Sequence, residues 1–276
     1  MAPTNRTHEE RRAGAAEVLS RFRAGDVDVE RAFASMEARR GALGSFAVDF
    51  VMGELWTRAQ LSPRDRSLVV IAFLVTMGSE EELTQHAAIG LNHGLTRDEV
   101  DEILLTVAVY AGWPPVMAAS RVVESVYCKI DGVERQPAKR PADRRTDEER
   151  RADAGAVLHT MSGGATDVDP AVVRNAQVGR LGDIGELGYD WCFGEVWPRA
   201  ELSRRDRSLV VVAVLAYLAK EPELALHVAA ALQHGATREE LREVMVTLVI
   251  YGGFPRAVDG RRVVEATFAK LDARAG

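Results

Sequence analysis

The stretch Arg64-Asp65-Arg66-Ser67-Leu68-Val69-Val70 occurs twice, returning unchanged as Arg205-Asp206-Arg207-Ser208-Leu209-Val210-Val211. Working outward from it, Gly53-Glu54-Leu55-Trp56 pairs with Gly194-Glu195-Val196-Trp197 at the same offset of 141 residues. The register holds without a gap from Gly53 to Asp131 against Gly194 to Asp272. Self-similarity of this kind means one supersecondary unit used twice. Upstream, Glu10-Arg11-Arg12-Ala13 matches Glu149-Arg150-Arg151-Ala152 at offset 139, so the second copy carries a net insertion of two residues before Gly194. Between the copies, Gly132 to Asp147 is polar, holds two prolines and lacks apolar periodicity, the mark of a linker. The chain therefore divides into a first unit, residues 1–131, a linker, 132–147, and a second unit, 148–276.

Within each unit the pattern is helical, and no alternating strand pattern appears. Ser62-Pro63-Arg64-Asp65 supplies a hydroxyl cap, a first-turn proline and an acid, and Leu68 to Met77 then gives a nearly continuous apolar body, which predicts a helix buried on most sides. A second helix over about 80–93 ends at Gly94, suited to a left-handed C-terminal position. Thr96-Arg97-Asp98-Glu99 is a capping box, repeated as Thr237-Arg238-Glu239-Glu240. The helix it opens carries Val100, Ile103, Leu104, Val107 and Ala108 as one stripe and stops at Gly112-Trp113-Pro114. A last helix covers about 115–129. The expectation is an all-α chain: a tandem repeat of two helical bundles, each of two antiparallel helix pairs preceded by one or two shorter helices.

Composition narrows the function classes. The chain has 276 residues, 41 acids against 35 bases and a formal charge of −6, mixed along its length, with no basic stripe to neutralise a phosphate backbone. No nucleic-acid partner is expected. The N-terminus is polar, and no apolar run reaches the roughly 18 residues a membrane span needs, so no membrane partner and a cytoplasmic location are expected. Cys128 and Cys192 occupy unrelated positions in the two copies and read as packing residues rather than a redox pair.

The Gly-Glu-Leu-Trp element, Leu61 to Val69, Glu82-Leu83-Thr84-Gln85-His86, Asn92-His93-Gly94 and Val109 to Pro114, together with their second-copy partners, resemble the decarboxylase branch of the carboxymuconolactone decarboxylase family. The resemblance covers residues 41–129 and 182–270. It implies an alkylhydroperoxidase-like helical fold, and metal-free, cofactor-free acid/base chemistry that removes carbon dioxide from a small carboxylated lactone. It also implies self-association, here as a trimer of duplicated chains that mimics a hexamer. The family's thiol-dependent members use Cys-x-x-Cys, with three residues between the second Cys and a His, and a Glu further upstream. Those positions are Ser79, Glu82 and Ser67 in the first copy and Lys220, Glu223 and Ser208 in the second, with only His86 and His227 retained. A hydroxyl or carboxylate cannot carry a disulfide, so thiol peroxidase chemistry is not expected.

Loss of carbon dioxide leaves electrons on a dienolate, which calls for a proton donor and a partner for the oxyanion. His86 and His227 are the first candidates for acid or base, with Glu54 and Glu195 next. Glu82 and Glu223, one turn before the histidines, could orient them. Arg66 and Arg207 could hold a substrate carboxylate in a forked pair, and Trp56, Trp197, Tyr110 and Tyr251 could wall the pocket or simply pack. Asp65 and Asp206 read as first-turn helix acids or partners of a nearby arginine. Two further readings stand beside the lyase: ring opening, cyclisation or isomerisation of a secondary metabolite such as an aromatic polyketide, and a non-catalytic binding or scaffold module.

Overall fold

Each copy opens on a capped helix. Thr7 and Glu10 exchange backbone and side-chain hydrogen bonds at one helix start, and Thr146 and Glu149 do so at the other. The computed structural model describes residues 6–23, 25, 27–137, 145–165 and 169–275. The first copy runs α1 (His8–Arg23), α2 (Val29–Arg40), α3 (Ala42–Phe46), π1 (Ala47–Leu55), α4 (Pro63–Met77), α5 (Glu80–Asn92), α6 (Arg97–Ala111) and α7 (Trp113–Asp131). The second repeats it as α8 (Asp147–Met161), α9 (Pro170–Leu181), α10 (Asp183–Leu187), π2 (Gly188–Val196), α11 (Arg204–Tyr217), α12 (Glu221–Gln233) and α13 (Arg238–Ala275). α13 is broken at Gly253 (φ 82°, ψ 162°) and so corresponds to α6 plus α7, which turn at Gly112 (φ 93°, ψ 163°). Among the described residues all regular structure is helical, a tandem repeat of two bundles. Of the linker, residues 138–144 lie outside the described residues.

The front of each copy is richer than the one or two short helices expected. It holds three α-helices and a nine-residue π-helix. The i→i+5 bonding of a π-helix has no sequence period that apolar patterning exposes. What the π-helix does require is close approach. A Cβ on Gly53 would stand 2.5 Å from the Arg11 carbonyl oxygen, and one on Gly194 would stand 2.6 Å from that of Arg150, so these glycines let α1 and α8 pack against π1 and π2. The two-residue insertion falls between α8 and α9, because α9, α10 and π2 already keep the offset of 141.

The centre of the molecule is the pair α4 and α11. Ser62 accepts from the Asp65 N–H and Ser203 from that of Asp206, and the cores of both helices, Leu68–Val75 and Leu209–Ala216, are fully buried. They pack on each other, α4 also on α13 and α11 also on α6, and one apolar core runs through both copies.

Reciprocal ion pairs mark a pseudo-twofold axis between the central helices. Arg64 donates to Asp65 and across the axis to Asp206 (2.9 Å), while Arg205 donates to Asp206 and across to Asp65 (3.0 Å). Deeper in, Glu243 accepts from Arg66 (3.0 Å) and from the fork of Arg58 (2.8 Å), both from the other copy, and Arg66 also bonds Thr247 (2.8 Å). Glu102, Arg207, Arg199 and Thr106 repeat this arrangement with the copies exchanged.

Removing a carboxylate that neutralises two buried guanidiniums strands charge in the interior. We expect Glu243→Ala to lower unfolding free energy by about 3–5 kcal/mol in urea titration, against under about 1 kcal/mol for Glu265→Ala at a half-exposed pair.

Candidate active site

The same face of α6 that carries Glu102 and Thr106 carries Tyr110 one turn further on, and α13 presents Glu243, Thr247 and Tyr251 with the same i, i+4, i+8 spacing. Each tyrosine is thereby driven across the pseudo-twofold axis into the other copy. The Tyr251 hydroxyl lies 3.4 Å from His86 Nε2, and the Tyr110 hydroxyl 3.3 Å from His227 Nε2. The indoles of Trp56 and Trp197, delivered by the ends of π1 and π2, stack on these same histidines at 5.8 Å and 6.0 Å between centroids. Two sites result, each assembled from both repeats.

The donors can be traced. Trp197 Nε1 donates to the Tyr110 oxygen at 2.9 Å and the Cys192 thiol approaches it at 3.8 Å, which leaves the phenolic hydrogen for His227 Nε2. Burial pushes both tyrosines well above their ordinary range, so they stay protonated donors. Burial also depresses His86 to about 4, with its neighbour His93 adding to the effect and Glu82 opposing it. His227 falls to about 4 for the same first reason. Both imidazoles are neutral near pH 7, the state a general base requires.

A second histidine joins each site. His93 and His234, at the C-terminal caps of α5 and α12, bring their rings to 6.0 Å and 5.5 Å from Trp56 and Trp197. Each is held by Nδ1 to a serine of the central helix, Ser67 or Ser208, at 2.8 Å. In the first copy Phe22 closes over both histidines at 6.2 Å and 5.6 Å, and Asn92 ties down its backbone carbonyl (3.0 Å). The equivalent α8 position is Met161, and Gln233, in place of Asn92, packs beside Gly163 in the longer loop. The His-x6-His spacing and the repeated Ser were visible in sequence, but only folding shows that they meet.

Other candidates are placed elsewhere. Arg66 and Arg207 lie in the buried seam with their terminal nitrogens donating to Glu243, Thr247, Glu102 and Thr106, behind the tyrosines rather than beside the histidines. The Glu82 carboxylate accepts from the hydroxyl of Ser79 just before its helix, and Glu223 is exposed. Glu54 accepts from Arg11 of α1 (3.2 Å) and Glu195 faces Arg150 (3.9 Å), both on the helix that packs against the π-helix. Asp65 and Asp206 are first-turn acids paired to arginines of both copies. Both cysteines are free, and burial lifts the Cys192 thiol to about 11.

A histidine whose folded pKa lies below its unfolded value binds fewer protons when folded. The associated stability is complete above pH 6.5 and is lost as pH falls from there toward 4. At pH 5, His86 and His227 should each cost roughly 2 kcal/mol relative to pH 8. Urea midpoints measured across this range should fall, and the fall should shrink in His86→Gln and His227→Gln. A flat profile in the wild type would refute the neutral, buried assignment.

Comparison with known proteins follows the same two-part geometry. The sequence model of the carboxymuconolactone decarboxylase family matches residues 42–125 and 184–266. A 4-carboxymuconolactone decarboxylase of Acinetobacter baylyi is 36% identical over 103 residues, 37% of this chain and 77% of that protein. A nitrosuccinic acid decarboxylase of Metarhizium robertsii is 33% identical over 82 residues, 30% of this chain and 57% of that protein. With both repeats matched across more than half its length, the chain belongs to the carboxymuconolactone decarboxylase family.

Proposed function

We propose that this protein is a carbon–carbon lyase that removes carbon dioxide from a small carboxylated lactone or a related enolisable acid, using no cofactor. The observation that carries the reading is the constellation of a neutral histidine, a crossing tyrosine and a stacked tryptophan, present twice. The two relatives support it, since both names describe loss of carbon dioxide from a small carboxylic acid.

The chemistry follows from the surroundings. When the bond to the carboxyl carbon breaks, its electron pair moves into the adjoining unsaturated system as an enolate. Water-poor, aromatic walls disfavour the localised carboxylate more than the dispersed enolate, and a proton must then return to carbon. His86 with Tyr251, and His227 with Tyr110, form the pairs that hold that proton. The tyrosine hydroxyl positions the ring through Nε2.

Carbon dioxide release from a panel of carboxylated lactones tests the reading. His86→Ala or His227→Ala alone should leave about half the activity if both sites turn over. The double variant should lose at least about 100-fold in kcat. No release from any lactone by the wild type, or a double variant as active as the wild type, would overturn it.

A further inference from the structure

Each site contains two buried imidazole nitrogens with no hydrogen-bond partner among the described residues: His86 Nδ1 and His93 Nε2 in the first, His227 Nδ1 and His234 Nε2 in the second. Orphaned buried polar atoms are uncommon, and the same two atoms in both repeats call for a reason.

Their hydrogen-bonding sense can be deduced. The Ser208 hydroxyl donates to the Arg204 carbonyl (2.9 Å), so its oxygen accepts from His234 Nδ1–H, and His234 Nε2 is left as a bare lone pair. His93 is fixed alike, with the Pro63 carbonyl as a further acceptor at its ring. His227 Nε2 accepts the Tyr110 hydroxyl, so a neutral His227 carries its hydrogen on Nδ1, an unused donor. His86 and Tyr251 repeat the pattern. Each site thus offers one unpaired N–H and one unpaired lone pair against the face of a single tryptophan.

A carboxylate has two acceptor oxygens and nothing to donate to a lone pair. The guanidiniums nearest the tyrosines are already neutralised by Glu243 and Glu102. We propose that His86 with His93, and His227 with His234, form a carboxyl-binding site that takes up a substrate carboxylate together with one proton from solvent. That proton settles on His93 Nε2 or His234 Nε2. One carboxylate oxygen then accepts from the first histidine's Nδ1–H, the other from the new imidazolium N–H. The bound anion supplies the counter-charge that burial otherwise denies. The charged or titratable groups around the first site are His86, Glu82 and Tyr251, with Arg21 on α1. Around the second they are His227, Tyr110 and Cys192, with Arg204. Burial, with Arg21 and Arg204 adding to it, keeps His93 and His234 unprotonated until the anion arrives.

The proposal names the substrate handle of the lyase site and rests on that reading. Titration calorimetry with 2-furoate at pH 8, in buffers of different ionisation enthalpy, measures it. The expected result is about one proton taken up per anion bound, with affinity falling about tenfold per pH unit above neutrality. His93→Gln combined with His234→Gln installs a permanent N–H with no titrating group, so furoate should still bind and proton uptake should fall to zero. Nitrogen NMR of histidine-labelled wild type gives an independent readout: His93 and His234 Nε2 should change from a pyridine-like to a protonated signal on adding furoate. No furoate binding, no proton uptake by the wild type, uptake unchanged in the double variant, or unshifted nitrogen signals would each overturn the proposal. Furoate bound with its proton, but no carbon dioxide released from the lactones, would leave this site standing and remove the decarboxylase reading.

Discussion

A carboxylate in the protein interior must be neutralised where it lies, and in this chain Glu102 and Glu243 find their neutralising arginines only in the opposite repeat. That constraint sets the rotation and translation of α6 and α13 against the central pair. Once Glu243 is seated between Arg58 and Arg66, helical geometry leaves Thr247 beside Arg66 and carries Tyr251 two turns along to His86. Structural and chemical residues share one stripe. The charge pair acts as a register pin, and the phenol is what it aims.

The walls of the site do a different job. Trp56, Phe22 and Tyr251 surround His86 with ring faces and edges, and these exclude water from one side of the imidazole while leaving Nδ1 unbonded. Such surroundings keep histidine neutral near pH 7, burial outweighing the opposing pull of Glu82. The acid that stands one turn away, Glu82, is spent on Ser79 at the helix start. The two sites differ in sequence around them, Phe22 of the first copy answering to Met161 and Val51 to Cys192, while their hydrogen-bonding cores match.

Much of the fold could be read from the chain, because the repeat, the Ser-Pro and Thr-x-x-Glu caps and the glycine stops are local signals. The helix ends at Gly94 and Gly112 fall where glycine backbone at positive φ is needed. The π-helices were not legible, since their wider turn leaves no apolar period. Within the site, His86, Trp56 and Tyr251 could each be named, yet their grouping could not. Aligning two repeats pairs Tyr110 with Tyr251, whereas the fold pairs each with the other copy's histidine. Arg66 and Arg207 carried the charge expected of a carboxylate ligand, and only tertiary structure shows the glutamates that already occupy them.

The crossing of the tyrosines also bears on how such a chain is inherited. A duplication normally frees one copy to wander while the other keeps the task. Here each half supplies side chains to both candidate sites, so neither copy is spare. Among the positions where the copies differ are Phe22, which lies over the first site and answers to Met161, and Asn92, which answers to Gln233. Fusion has made two halves into mutual hostages, free to specialise at their rims and bound together at their middle.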